Sequence, residues 1–351
     1  MSNQKSLVLV VGAGASKEVK LPIGSELKDR IAAALNFKFR NGYQLESGDS
    51  DIAEAIQLYV QNHRPNGSTD VNPFIRAGRR IRDAMPQAPS IDNFIHAHQD
   101  DEKIALCGKL AIAKCILEAE AQSMLHMSRE TLVNFVDVKD TWYNLFFQYQ
   151  IAPFKISDLP ERLSKITIIT FNYDRCIEHY FHSGLMNYYG IDGVQATGLM
   201  KHLTILHPYG YLGPLAWSDV RNPIPFGTKV HPAQLLEIAQ NLKTFTEGTD
   251  KTHSDIVSIK QSIDSAEKIV FLGFSFNSQN LELLFSDIGV ARRMRSVEFF
   301  GTAYGLSASD IFAIKNQLKS LAQADHGSPV ILEQEHTCAK LIQDYSRALT
   351  V

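Results

Sequence analysis

The sequence predicts an α/β fold built on a mostly parallel sheet. Three observations lead to this prediction: a buried apolar strand at Leu7–Val11, a glycine-rich turn directly after it, and short apolar strands that alternate with helices after Pro160. An apolar run without alternation is typical of a parallel strand that is covered on both faces. Strands that alternate with helices favour a parallel sheet whose ligands bind at the carboxyl ends of its strands.

The composition is that of a globular protein. The chain has 351 residues, of which 44% are hydrophobic and 21% are charged, and its formal net charge is −3. This charge gives no electrostatic reason to expect a nucleic acid or an anionic membrane as a partner, and no apolar run is long enough to span a bilayer. The four cysteines form no Cys-x-x-Cys pair, so we expect no zinc module and no metal. Their scatter fits the reducing cytoplasm, where we expect the protein to be located.

Apolar runs and helical spacing predict the individual elements. After the first strand, we expect strands at Ile166–Phe171, Leu203–Leu206, Lys268–Leu272, Val297–Phe300 and Pro329–Leu332. We expect helices at Ser25–Leu35, Ile91–His98, Leu106–Met124, Arg129–Tyr149, Ala233–Lys243, Ser254–Ser265, Leu281–Ile288 and Ser307–Ala322. The whole chain, 1–351, is interpreted as one domain, in which residues 36–160 form a mainly helical insertion without strands.

The first candidate site is the turn after the first strand, which we call the glycine turn. It comprises Gly12, Ala13, Gly14, Ala15 and Ser16. Glycines let backbone N–H groups approach a phosphate, and the start of a helix adds a favourable dipole. A tight strand–helix turn explains the same residues equally well. Lys17 takes the place of the third glycine of a dinucleotide fingerprint, and no acidic residue ends a second strand about 20 residues later, so hydride transfer is disfavoured.

Two further motifs follow later strands. In Thr170–Asp174, Asn172 offers both a donor and an acceptor that suit a ribose hydroxyl or a water, and Asp174 offers a fixed charge. Either side chain can equally cap the helix that follows. In His207–Gly210, the histidine can serve as a base near neutral pH, although a lone histidine is usually structural.

The last strand-end motif comprises Gly273, Phe274 and Ser275, and it again combines a glycine with a hydroxyl. Polar or glycine-bearing ends on four strands indicate one shared crevice. Asp92, which follows the predicted N-cap Ser90, is a candidate to enter this crevice from the insertion. It can equally be an acidic residue that favours the dipole of its own helix.

The four motifs occur in the order seen in sirtuins. Over about Leu7 to Leu332, the chain resembles the SIR2-like proteins of bacterial anti-phage defence more closely than it resembles the protein deacylases. Leu21-Pro22 and the helix start Ser90-Ile91-Asp92 add to this resemblance. The resemblance implies a Rossmann-like, sirtuin-like fold and implies that the chain binds NAD.

The resemblance also implies a role for each motif. The glycine turn and Gly273–Ser275 would hold the dinucleotide, with Asp92 as a further candidate. Asn172 and Asp174 would line the nicotinamide–ribose pocket, and His207 would act as the general base. Defence members of this kind typically hydrolyse NAD to nicotinamide and ADP-ribose, which depletes the NAD of an infected cell. The expected function is therefore that of an NAD glycohydrolase whose activity is controlled by homo-oligomerisation or by a partner protein.

Three departures from the sirtuin pattern bear on two alternative functions. Leu21–Gly24 replaces the sirtuin segment G-I-P-D-F-R, and the four zinc-binding cysteines are missing, which weakens the alternative of an NAD-dependent protein deacylase. The usual His-Gly reads His207-Pro208-Tyr209-Gly210, which weakens any catalysis. A non-catalytic module that binds NAD or ADP-ribose and regulates a partner is the second alternative.

Overall fold

A six-stranded parallel sheet forms the centre of the protein. The computed structural model describes residues 6–64, 67–127, 133–218, 220, 222–243, 254–285, 297–321 and 328–350. The strands within these residues are β1 (Leu7–Val11), β2 (Lys38–Arg40), β3 (Gln44–Ser47), β4 (Ile166–Thr170), β5 (Thr204–Leu206), β6 (Lys268–Leu272), β7 (Glu298–Thr302) and β8 (Val330–Glu333). β2 and β3 pair with each other as an antiparallel hairpin, and the other six strands form the parallel sheet.

The order of the strands reverses beside β1. Across the sheet the order is β5-β4-β1-β6-β7-β8. When only these six strands are numbered along the chain, the order is 3-2-1-4-5-6, which is the order of Rossmann folds. In such sheets the ligand crevice opens outside the carboxyl ends of the strands at the point of reversal, which here lies between β1 and β6. The predicted α/β class with a mostly parallel sheet is confirmed.

β1 supplies both faces of the core. All five of its residues are buried, and successive side chains of a strand point to opposite faces. Val8 and Val10 join one apolar cluster, whereas Leu7, Leu9 and Val11 join the other. This two-sided burial explains why the sequence of β1 shows no polar alternation.

Helices cover both faces of the sheet. The α-helices within the described residues are α1 (Ala13–Ser16), α2 (Gly24–Ala34), α3 (Ser50–His63), α4 (Asn72–Ala84), α5 (Ile91–Ala97), α6 (Glu102–Gln122), α7 (Trp142–Gln150), α8 (Leu159–Ser164), α9 (Cys176–Tyr189), α10 (Gly193–Met200), α11 (Pro232–Asn241), α12 (Ser254–Ser265), α13 (Ser278–Phe285), α14 (Ala308–Leu321) and α15 (Cys338–Asp344). Buried residues of α2 to α6 and α11 to α14 belong to the cluster of Val8 and Val10, except Ala119 of α6, which belongs to the other cluster. Buried residues of α7 to α10 and α15 belong to the cluster of Leu7 and Leu9.

Two predictions for the segment 36–160 are wrong. The hairpin of β2 and β3 contradicts the expectation that this segment has no strands, because its short and mostly polar strands carry little apolar signal. The helix predicted at Arg129–Tyr149 begins only at Trp142, after turns at 135–140, and its first residues, 129–132, lie outside the described residues. The ends predicted for two further helices, 286–288 and 322, also lie outside the described residues.

Other elements agree closely with the sequence predictions. β6 and α12 have the predicted bounds. The side-chain oxygen of Ser90 caps α5 as expected, since it accepts a hydrogen bond from the amide of Asn93 at 3.0 Å. Among the described residues, we find no helix with the length and apolar character needed to cross a membrane.

Candidate functional site

The glycine turn packs directly against the end of β6. The amide of Gly12 donates to the carbonyl of Leu272, and the amide of Gly14 donates to the carbonyl of Gly273, both at 3.0 Å. A Cβ on Gly12 would lie 2.7 Å from the Gly273 oxygen, and a Cβ on Gly14 would lie 2.8 Å from the Gly273 Cα. Close packing of two backbones therefore requires glycine at both positions, in addition to any role in binding a phosphate.

The helix that follows the glycine turn is a single turn, α1, and a 3₁₀ turn at Lys17–Val19 continues it. A helix this short has little dipole, so the attraction of the glycine turn for a phosphate is weaker than the sequence predicts. The indole nitrogen of Trp142 donates a hydrogen bond to the carbonyl of Ala15 at 3.0 Å. The turn is thus fixed by packing and hydrogen bonds on both sides.

Ser16, Asn172 and Asp174 meet at the carboxyl ends of β1 and β4, and we call them the Ser16 cluster. The Ser16 hydroxyl donates to Oδ2 of Asp174 at 3.0 Å and accepts from the side-chain amide of Asn172 at 3.0 Å. The same Asn172 amide group lies 3.2 Å from the carbonyl oxygen of Gly12. All three side chains of the cluster are buried. Two motifs that are more than 150 residues apart in sequence are therefore joined by direct hydrogen bonds.

Asp174 combines a hydrogen bond to the start of α9 with an electrostatic role. Its Oδ1 accepts from the amide of Cys176, the first residue of α9, at 3.1 Å, although the N-cap residue of this helix is Arg175 and not Asp174. Burial raises the pKa of Asp174 to about 6, although hydrogen bonds from Cys176 and Ser16 oppose the shift. At neutral pH this carboxyl is a buried negative charge beside the crevice, and mild acid neutralises it.

His207 reaches the Ser16 cluster through the backbone. Its Nδ1 lies 3.3 Å from the carbonyl oxygen of Asn172, and its Nε2 lies 2.7 Å from Oε1 of Glu178. Tyr211 stacks on the imidazole, with 4.7 Å between the ring centroids. Burial alone would lower the pKa of His207, but the charge and hydrogen bond of Glu178 outweigh it, so the net pKa is raised.

The unusual spacing His207-Pro208-Tyr209-Gly210 forms a turn. The Gly210 amide donates to the His207 carbonyl at 3.0 Å, and Gly210 has a φ of +72°. A Cβ on Gly210 would lie 2.0 Å from the carbonyl oxygen of Asn241. Proline in the second position and glycine in the fourth suit a type I turn, which fixes the chain directly after His207.

A cavity of about 290 Å³ opens beside His207 at the end of β5. Tyr211, Asn241, Lys243 and Asp255 are among the residues that line it. The Lys243 ammonium lies 3.4 Å from a carboxylate oxygen of Asp255, so these two opposite charges face each other at the cavity wall. The cavity combines one histidine with polar and aromatic groups, whereas the residues of the glycine turn and of the Ser16 cluster are not among those that line it.

Three further predicted site residues, Asp92, Phe274 and Ser275, differ in their contacts and burial. Asp92 accepts a short hydrogen bond from the hydroxyl of Tyr173, the neighbour of Asn172, and burial raises the pKa of Asp92. Phe274 is buried, with its ring centroid 5.3 Å from that of Phe171. Ser275, in contrast, is exposed.

Two charged pairs that support the site could not be predicted from the sequence. Glu178 pairs with His207, as described above. Arg175 is fully buried with Glu120, at 2.5 Å between Nη2 and Oε2, and its Nη1 donates to the carbonyl of Ile224 at 2.6 Å. The partners in these pairs are 29 and 55 residues apart, and a spacing of that length leaves no periodic pattern. In the part of the chain that the structure describes, no group of three or more His, Cys, Asp or Glu side chains is arranged to hold a metal ion.

Significant similarity to known proteins is found at the level of structure. No family model matches the chain. A search of curated proteins finds no significant match. Among solved structures, the chain is similar to the crystal structure of a SIR2 homolog–NAD complex, with a TM-score of 0.40 and 13% sequence identity over 98% of this chain and 89% of that chain. A TM-score and a sequence identity this low show neither the family nor the function of this chain.

Proposed function

We propose that the protein is an NAD glycohydrolase, which cleaves NAD to nicotinamide and ADP-ribose. The observation that supports this proposal most strongly is the position of the Ser16 cluster. It lies at the carboxyl ends of β1 and β4, and β1 borders the point of strand-order reversal at which Rossmann sheets bind dinucleotides. The glycine turn and Gly273–Ser275 flank this point and would hold the dinucleotide, and Asp92 would border it through Tyr173.

The side chains at the crevice favour bond cleavage over hydride transfer. Cleavage of the bond between nicotinamide and ribose passes through an oxocarbenium-like state, as in glycoside hydrolysis. Asp174 would stabilise the developing positive charge, and Asn172 would orient the attacking water or ribose hydroxyl. His207 would accept the proton from that nucleophile. Nicotinamide leaves as a neutral molecule, so the reaction needs no strong general acid.

The proposal includes a biological role and its control. Hydrolysis of NAD in an infected cell would starve the phage of a metabolite, which is the role expected for a defence protein. An enzyme of this kind that was always active would also deplete the NAD of its own host. We therefore expect that homo-oligomerisation or a partner protein switches the activity on.

A non-catalytic module that binds NAD or ADP-ribose is the second candidate. It is favoured by the way in which the polar groups satisfy one another: Ser16 bonds to Asn172 and Asp174, and both ring nitrogens of His207 face protein acceptors. Such an arrangement also suits a site that recognises a ligand without transforming it.

The test is to incubate the purified protein with NAD over a range of protein concentrations and to measure nicotinamide and ADP-ribose. Release without an added peptide supports the glycohydrolase, release that depends on an acetylated peptide supports a deacylase, and binding without turnover at every concentration supports the module. Asn172→Ala and His207→Ala should abolish release. The exposed residues Asn187 and His202 provide matched controls, since Asn187→Ala and His202→Ala should retain it. Full cleavage by both site variants would contradict the assigned roles.

A further inference from the structure

Glu178 lies at the start of α9 with its carboxylate turned to the crevice histidine. Its side chain is 15% exposed, and its Oε1 lies 2.7 Å from Nε2 of His207. Its other oxygen, Oε2, is buried and has no hydrogen-bond partner among the described residues. A carboxylate that is withdrawn from water and is bonded to a single histidine interacts strongly with that histidine.

The geometry distinguishes the two nitrogens of His207. A carboxylate only accepts hydrogen bonds, so the nitrogen that faces it, Nε2, carries a proton. Nδ1 lies 3.3 Å from the Asn172 carbonyl oxygen, a long contact. When His207 is neutral, its lone pair is therefore on Nδ1, which points towards the end of β4. Tyr211 stacks on the ring and restricts its rotation.

We propose that Glu178 is a positioning residue for His207: its carboxylate fixes the proton on Nε2, so that Nδ1 acts as the proton acceptor when the attacking water takes the place of the Asn172 carbonyl beside it. This proposal depends on the proposed function for its chemical step, but the proton position that it assigns can be measured without any substrate. The arrangement follows the logic of an acid–histidine pair in hydrolases, in which the carboxylate selects the tautomer and stabilises the imidazolium.

The step that this arrangement serves is balanced in atoms and charge. Nδ1 takes a proton from the attacking water, and the electron pair of that O–H bond forms the new bond to the anomeric carbon of the ribose. The bond from that carbon to nicotinamide breaks, and its electron pair passes to the pyridinium nitrogen, which becomes neutral. His207 is then an imidazolium whose charge is compensated by Glu178.

Other charged and titratable groups also lie near His207. Asp174, after β4, adds a smaller attraction for a proton on the ring, and Tyr211, after β5, stacks on it. Lys243 and Asp255, on the cavity wall, offset each other. Glu178 is therefore the group whose removal should change His207 most.

The first test measures the proton position directly. Histidine labelled with ¹⁵N reports the tautomer and the pKa of each ring by NMR, and the signals of His207 are assigned by their loss in His207→Gln. We expect a neutral ring protonated on Nε2 in the wild type, and a lower His207 pKa in Glu178→Gln than in the wild type. A neutral wild-type ring that carries its proton on Nδ1 would overturn the proposal even if Glu178→Gln does not fold.

The second test measures NAD cleavage by Glu178→Gln. We expect kcat to fall by about 100-fold or more with little change in KM, because general-base catalysis typically contributes this much. The acid limb of kcat/KM should move to lower pH. Glu161→Gln, a substitution in an exposed ion pair with Lys165, is the matched control and should behave as the wild type. An unchanged kcat and pH profile in Glu178→Gln would refute the positioning role, whereas a wild type that cleaves no NAD refutes the proposed function and leaves the NMR result valid.

Discussion

The backbone of Gly273 lies against the backbone of Gly14. The Gly14 amide donates to the Gly273 carbonyl at 3.0 Å, and a Cβ on Gly273 would lie 2.3 Å from the carbonyl carbon of Gly14 and 2.0 Å from the amide nitrogen of Ala15. Gly273 also has a φ of +56°. The two central strands of the sheet are therefore joined, at the edge where the crevice opens, by a contact that no side chain fits.

This contact predicts a large effect of Gly273→Ala. The substitution adds a backbone clash to the cost of a left-handed conformation, and we expect it to lower the free energy of unfolding by about 2–5 kcal/mol. Gly305→Ala is the control, because Gly305 has a φ of +78° with no atom within 4 Å of an added Cβ. It should cost only about 1–2 kcal/mol. Urea denaturation measures both, and equal costs would contradict the clash.

Asp174 predicts a pH dependence of stability. Burial raises its pKa to about 6 in the folded protein, against the ordinary value of 3.8, so the folded state binds the proton more tightly than the unfolded state does. Stability should therefore fall as the pH rises from about 4 to 6, by about 3 kcal/mol for this residue, and then level off. Asp174→Asn should gain stability relative to the wild type over this range. Asp140→Asn, at an exposed position, should show a constant difference, and a constant difference for Asp174→Asn would contradict the shift.

The bond from Tyr173 to Asp92 predicts a pH-dependent loss in Tyr173→Phe. Burial raises the pKa of Asp92, and the Tyr173 hydroxyl opposes that shift, so its removal raises the pKa further. The variant should lose about 1–3 kcal/mol of stability at pH 7 and less at a pH that is low enough to protonate Asp92. Tyr180→Phe is the control, since the Tyr180 hydroxyl donates to the neutral Asn144 at 2.9 Å. Its loss should be similar at both pH values. Thermal unfolding at the two pH values measures the difference, and a loss in Tyr173→Phe that does not vary with pH would refute it.

The buried pair of Arg175 and Glu120 predicts strong coupling. Arg175→Met would leave the Glu120 carboxylate buried without its partner, and we expect a loss of about 3–5 kcal/mol in the free energy of unfolding. The double variant Glu120→Gln/Arg175→Met should recover part of that loss, because no buried charge remains. Lys165→Met, which breaks an exposed pair, should cost at most about 1 kcal/mol. Additive losses in the double variant would argue against the coupling.

Much of the fold could be predicted because buried strands and amphipathic helices leave periodic patterns. β6 and α12 were predicted to the residue, since apolar runs and polar boundaries coincide there. The hairpin of β2 and β3 could not be predicted, because its side chains are exposed or half-buried and carry no such pattern. No individual helix was predicted at α3, α4, α8, α10 or α15, although α3 and α4 lie in the segment expected to be mainly helical.

The site could be predicted as a set of strand ends but not as a network. The motifs identified Ser16, Asn172 and His207 as candidates. In the structure, Asn172 bonds to Ser16 through its side chain and to His207 through its carbonyl. The roles of these residues remain predictions. Glu178 could not be found, because a glutamate in the first turn of a helix is equally expected as a solvated residue that favours the dipole. Only the fold brings it to His207.

The position of β1 also has a consequence for the order in which the protein can be assembled. Leu7 pairs with Ile166 on one side and with Lys268 on the other, so β1 can complete its pairing only after β4 and β6 have been synthesised. At about 5–20 residues per second, roughly 13–50 s of synthesis separate β1 from β6. A nascent chain that ends before Gly273 has no backbone beneath its glycine turn. The crevice can therefore close only after most of the chain has left the ribosome, which keeps unfinished chains from carrying a complete site.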